Sequence, residues 1–188
     1  MQPGFGRTGD NFWGFESEGL TPDIVTMGKP MGNGHPIAAM VASRALVESF
    51  SKSVGYFNTF GGNPVSCAAA LAVLDVLEEE HLQANAAKQG RRMLKGLQKL
   101  AEQHEIIGDV RGNGLFVAVE LISDRADRVP ATELTARVVN GLRERGVLTG
   151  SIGPDNNIVK LRPPMVLGGD EVDLMLETLE ATLAALSA

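Results

Sequence analysis

Two short apolar runs near the start of the chain, DIVTMG (23–28) and PIAAMVAS (36–43), are bounded by glycine and proline and predict buried strands. The loop between them is glycine-rich. At TFGGNPVSCAAALAVLDVLEEEH the pattern changes to an Ala/Leu/Val-rich helix, with Asn63 as its N-cap and Pro64 as its first residue. Its acidic end opposes the helix dipole, so the helix is expected to continue or re-form through LQANAAKQGRRMLKGLQKLAEQHE. Arg91, Arg92 and Lys95 on that stretch read as a solvated face. From about residue 105 the pattern becomes β-α-β-α. IIGDVRGNGLFVAVEL predicts a strand or hairpin around Gly112 and Gly114, and ATELTARVVNGLRERG predicts a helix ending on Gly146. NNIVKLRPPMV predicts a strand stopped by Pro163 and Pro164, and GGDEVDLMLETLEATLAALSA a closing helix capped near Asp170. The expected fold is α/β in two parts, residues 1–88 and 89–188.

Composition narrows the function classes. The net charge of −6 over 188 residues disfavours nucleic acid and anionic membranes as partners. No apolar run approaches the ~20 residues that span a bilayer, and the first residues lack the pattern of a signal peptide. The single cysteine, Cys67, excludes an internal disulfide, suits a cytoplasmic setting, and is read as a small core residue of its helix. His35, His81 and His104 are far apart in sequence and suggest no metal site.

One residue raises a chemical question. Lys29 stands between glycine and proline in TMGKPMGNGHP (26–36), where a predicted strand ends. It could be a solvated loop lysine. Phosphate cradling is a poor fit, because the P-loop pattern needs Gly-Lys-Ser/Thr and here Pro30 follows the lysine. A third reading is nucleophilic: a lysine amine at a strand end can form a Schiff base with an aldehyde. Arg7, in GFGRTG, could be an anchor or a ligand contact, and the anchor is favoured. The aromatic stretch NFWGFE is expected to pack around that turn, and Arg111 to form a buried ion pair beside Asp109.

Four motifs in order, GFGRTG (4–9), GKPMGNGHPIAA (28–39), FNTFGGNPVSCAAALAVLDVLEEE (57–80) and IIGDVRGNGLFVAVEL (106–121), resemble class III aminotransferases. These are pyridoxal-phosphate enzymes of fold type I, and the likeness runs essentially the whole length. The resemblance implies part of the large cofactor-binding domain followed by a small C-terminal α/β domain. It implies that Lys29 forms the internal aldimine with pyridoxal 5'-phosphate and then carries the proton between substrate and cofactor. It also implies that Thr59 binds the cofactor phosphate, reaching into the neighbouring subunit's site of a homodimer. The expected reaction passes an amino group from an amine or amino acid to a keto acid.

Two departures from the family pattern qualify this. In the family an Asp-Glu-Val/Ile segment precedes the motif that begins here at Gln2, and its aspartate pairs with the pyridine nitrogen. Here Met1 stands directly before Gln2. The chain is therefore expected to be a C-terminal portion, inactive or weakly active alone, with apolar faces uncovered in its first ~85 residues. The second departure lies three residues before the prolines, where many members carry a carboxylate-binding arginine. This chain has Lys160 there, with Arg162 two residues on, and both are candidate substrate contacts. That form resembles ethanolamine-phosphate phospholyases, with the alanine–glyoxylate branch also near. Two further readings therefore stay open: phosphate elimination from an O-phosphorylated amine, and a non-catalytic fragment that keeps only dimerisation.

Overall fold

The first predicted strands form β1 (Ile24–Gly28) and β2 (Ala38–Ala42), paired antiparallel with Ile24 opposite Ala42 and Gly28 opposite Ala38. They belong to a computed structural model that describes residues 2–187. A 3-10 turn at Lys29–Gly32 links the two strands and packs against both, and against α2 (Pro64–Glu79). Asn63 caps α2 as expected, its side chain accepting from the Val65 and Ser66 amides. Between β2 and α2 lies α1 (Arg44–Ser53), which the hydrophobic pattern did not announce. The chain leaves α2 at His81, whose φ is +52°, and re-forms as α3 (Leu82–Gln103). That break follows three consecutive glutamates, Glu78 to Glu80, whose charge opposes the dipole at a helix C-terminus.

After α3 the hairpin β3 (Ile107–Asn113) and β4 (Phe116–Asp124) turns at Gly114, φ +54°. A short β5 (Val129–Pro130) pairs with β4 and leads to α4 (Thr132–Glu144). Then come β6 (Gly150–Ile152), β7 (Ile158–Leu161) and α5 (Gly169–Ser187). The sheet runs β3-β4-β7-β6 and every pair in it is antiparallel. The expected β-α-β-α order is thus a hairpin, a helix, a second hairpin and a helix. β5 and β6 were missed because two or three residues are too few to set up an alternation.

By their contacts the residues form two units, Met1–Gly6 with Asn11–Gln83, and Arg7–Asp10 with Ala84–Ala188. The second unit has a continuous core. Alternation along β4 buries Val117, Val119 and Leu121, and along β7 Val159 and Leu161. Met93 and Leu97 of α3, Val138 and Leu142 of α4, and Leu179 and Leu183 of α5 join the same cluster. At α5 the helix is capped near Asp170, and the capping group is Glu171, which at the third helical position reaches back to the Gly168 amide at 3.0 Å, as in half a capping box.

The first unit differs. β1 and β2 bury only Gly28, α1 buries nothing, and α2 buries Ala70 alone. The expectation of buried strands is therefore corrected, and so is Cys67, which is exposed. Helical spacing puts Cys67 three residues before Ala70, close to the one buried stripe but outside it. What order this unit has comes partly from an aromatic group. Phe5, Phe12 and Trp13 meet edge to face at 4.8–5.8 Å, with Phe15 stacked on Trp13.

The tightest contact joins backbone to backbone in the second unit. A Cβ at Gly90 would lie 2.2 Å from the Gly114 carbonyl oxygen, and one at Gly114 would lie 2.4 Å from that of Arg7. Gly90→Ala is expected to lower unfolding free energy by about 3 kcal/mol, since neither backbone can yield as a side chain would. Gly150→Ala, where a Cβ meets nothing within 4 Å, should change it by less than about 1 kcal/mol. Urea unfolding of the two variants beside wild type checks both.

Candidate functional site

Lys29 follows the last residue of β1 and opens the 3-10 turn. Its φ is +51°, in the left-handed region that normally falls to glycine. The following Pro30 narrows the backbone choice further. Strain of this kind, of order 1–3 kcal/mol, persists where surrounding structure imposes it, and it gathers at functional sites. Here the surroundings are β1, β2 and α2, all packed on the turn. His35 adds a tie across 31 residues, its Nε2 lying 2.9 Å from the Ser66 hydroxyl in the first turn of α2.

Lys29 is exposed and lines an open pocket of about 820 Å³ with Met27, Gly28, Pro30, Asn33, Gly34, His35 and the start of β2. Sequence reasoning passed over His35 by weighing the histidines only as metal ligands. The signal was its place inside the lysine loop. Thr59 belongs to the same unit but does not line this pocket. It sits in the exposed turn before α2, where Gly61 and Gly62 follow. At Gly62, φ +68°, a Cβ would meet nothing within 4 Å, so the backbone there is open to a ligand.

Lys160 and Arg162 come together in the second unit. Both line a cavity of about 380 Å³ with Val147, Leu148, Thr149, Gly150 and the two prolines. β7 buries Val159 and Leu161, so Lys160 faces away from the core. Its strand neighbours are small, Ala118 on β4 and Gly150 on β6, and Arg111 stands opposite Ala118 one strand further on. The Thr149 hydroxyl donates to the Lys160 carbonyl at 2.7 Å, fixing the backbone at the pocket. Arg162 lies just past the strand end and is exposed.

The remaining arginines act structurally. Arg7 is half-buried and donates from Nη1 to the Pro163 carbonyl at 2.6 Å, with the Leu115 carbonyl at 3.4 Å. Burial holds its guanidinium below the ordinary value, and the positive charge of Arg162 lowers it further. Arg111 donates to Asp109 at 2.5 Å and Glu120 at 2.7 Å, and the bonds to these carboxylates, Asp109 first, raise its pKa. The expected buried ion pair is corrected here: the Arg111 side chain is 47% exposed, because β3 is an edge strand. Arg92 pairs with Asp173 of α5 and Arg91 with Asp10 at 3.5 Å, both on the solvated face.

A primary amine beside an open pocket, and separately a hydroxyl followed by two glycines, suit an aldehyde and a phosphate respectively. Comparison with known proteins gives the family. The family model for class III aminotransferases matches residues 1–183. The chain belongs to the class III aminotransferases. It is 47% identical over 178 residues to an alanine–glyoxylate aminotransferase 2-like protein of Drosophila melanogaster, covering 94% of this chain and 36% of that protein. A phospholyase from Arthrobacter in complex with phosphoethanolamine superposes with a TM-score of 0.95 at 46% identity, over 98% of this chain and 44% of that one. An amine transaminase from an uncultivated Pseudomonas species, in its PLP-bound internal aldimine form, superposes at 0.86 with 38% identity, over 97% and 42%. The mixed α/β fold is thus that of pyridoxal-phosphate-dependent aminotransferases, whose cofactor is pyridoxal 5'-phosphate. The chain spans roughly two fifths of the length of these relatives.

If the turn is held for the amine at a cost in stability, removing the amine should reveal the cost. Lys29→Gly is expected to be more stable than Lys29→Ala by about 1 kcal/mol, the reverse of the usual order, because glycine alone relieves the positive φ. Denaturant midpoints of the two variants measure this.

Proposed function

We propose that this chain carries the reactive lysine of a pyridoxal-phosphate-dependent aminotransferase, one that moves an amino group from an amine or amino acid to a keto acid. The observation that carries the reading is Lys29 itself, held at positive φ on a strand end at an open pocket, within a chain matched to the family over residues 1–183. In this reading residues 1–88 close the large cofactor domain and residues 89–188 form the small one.

Bound there, pyridoxal phosphate supplies an aldehyde for the amine and a ring that draws electrons from the substrate's breaking bond. Lys29 Nζ would hold the cofactor until substrate replaces it, and would then carry the proton lost by the substrate carbon across to the cofactor. The Thr59 hydroxyl and the amides at Gly61 and Gly62 are offered to the cofactor phosphate, in the neighbouring subunit's site of a homodimer. Lys160 and Arg162 take the substrate's anionic group, their side chains sharing one cavity.

A second reading is phosphate elimination from an O-phosphorylated amine. Support comes from the same cavity, where Lys160 offers a compact charge in place of a bidentate fork, and from the likeness to a phospholyase in complex with phosphoethanolamine.

Incubating the chain with pyridoxal phosphate, reducing with borohydride and mapping the label by mass spectrometry tests the lysine assignment. The label is expected on Lys29 and is expected to vanish from that peptide in Lys29→Ala. A label scattered over the surface lysines would overturn the assignment. Given phosphoethanolamine, release of inorganic phosphate without amino transfer to pyruvate or glyoxylate would put the second reading first.

A further inference from the structure

The stretch between β7 and α5 forms the floor of the Lys160–Arg162 cavity at Pro163 and Pro164, and none of it is helix or strand. Two side chains hold it. Asn85 of α3 donates from Nδ2 to the carbonyls of Met165 at 2.8 Å and Leu167 at 2.9 Å, at its far end. Arg7 holds the near end through the Pro163 carbonyl, one residue past Arg162. We propose that Arg7 is the positioning residue of this cavity, fixing the Pro163 carbonyl and thereby the direction in which Arg162 leaves the strand. The proposal rests on the reading above that the cavity takes an anionic group.

Three observations carry it. Arg7 sits on a base that cannot shift: its own carbonyl accepts from the Leu115 amide at 2.9 Å, and Gly114 packs against it with no room for a methyl group. Its guanidinium directs its closest donor to an uncharged carbonyl and, among the described residues, pairs with no carboxylate, although arginine's fork suits carboxylates best. Its charge therefore stays uncompensated beside Arg162, whose like charge lowers the Arg7 pKa. Repulsion between the two favours an Arg162 side chain turned away from Arg7, and Arg162 lines the cavity and is exposed.

The test titrates inorganic phosphate into the 188-residue chain and follows the Gly150 and Lys160 amide signals by NMR. Lys160→Gln is expected to abolish the shifts. Arg7→Lys and Arg7→Gln are each expected to weaken phosphate by about fivefold or more, because neither side chain keeps the planar fork, and the loss should persist at high ionic strength. Asn85→Ala, which frees the far end of the same stretch, is expected to lower thermal stability and leave phosphate affinity within about twofold, as a purely structural change would. Equal losses in Asn85→Ala and Arg7→Gln would reduce Arg7 to general support and overturn the proposal. So would an Arg7→Lys variant that binds like wild type, which would leave only a long-range charge effect. If Lys160→Gln abolishes binding while both Arg7 variants bind normally, the proposal falls and the anion cavity stands. If wild type shows no shifts with phosphate, both fall together.

Discussion

A helix and a hairpin can bring their backbones into direct contact only if neither presents a side chain at the crossing, and the second unit has such a point. Gly90 on α3 meets the Gly114 carbonyl, and Gly114 in turn meets the Arg7 backbone, so three stretches far apart in sequence stack with no side chain between them. Glycine at 114 answers a second demand as well, since the hairpin turns there at positive φ. The crossing fixes where the Arg7 backbone lies, and with it where the Arg7 guanidinium can reach. Residues 7–10 accordingly belong with the second unit, although the chain before and after them belongs with the first.

From that point the geometry of the cavity lined by Lys160 and Arg162 follows by short steps. The Leu115 amide donates to the Arg7 carbonyl, and Arg7 Nη1 donates to the Pro163 carbonyl, so the end of β7 is tied to the start of β4 through one side chain. Alternation on β7 does the rest. Val159 and Leu161 must face the core, which leaves Lys160 on the other face between Ala118 and Gly150, the two positions where small residues leave space. The electrostatics then sort themselves by distance from carboxylates. Arg111 is neutralised locally by Asp109 and Glu120, while Arg7 has mainly carbonyl oxygens as acceptors.

Much of this was legible in the sequence, and the failures have physical causes. The Asn63–Pro64 start of α2, the hairpin at Gly114, the Gly146 stop and the end of β7 before the prolines are all local signals, each set by backbone chemistry over a few residues. The lysine loop was also legible as an oddity, but its positive φ was not, because the strain at Lys29 comes from packing by β1, β2 and α2. Burial was read least well. Cys67 and the two strands were assigned to a core on hydrophobicity alone, which gives the tendency of a residue to be covered and says nothing of what covers it. The role of Arg7 needed a contact 156 residues away in sequence, and no local pattern could supply that.

The two units therefore pose different physical problems. In the second, sequence pattern and burial agree: the helices α3 and α4 are amphipathic and their apolar faces are covered. In the first they disagree most at α2, an Ala/Leu/Val helix apolar on nearly every side yet burying only Ala70, with Val65, Leu71, Leu74 and Val76 all exposed. A helix of that kind is stable when surrounded, and its exposed rings of neighbours, Tyr56, Phe57 and Phe60, extend the same uncovered surface up to Thr59. The relatives are more than twice as long. Lys29 thus lies in the unit whose apolar surface stays exposed, whereas the cavity lined by Lys160 and Arg162 rests on a core that the second unit supplies itself.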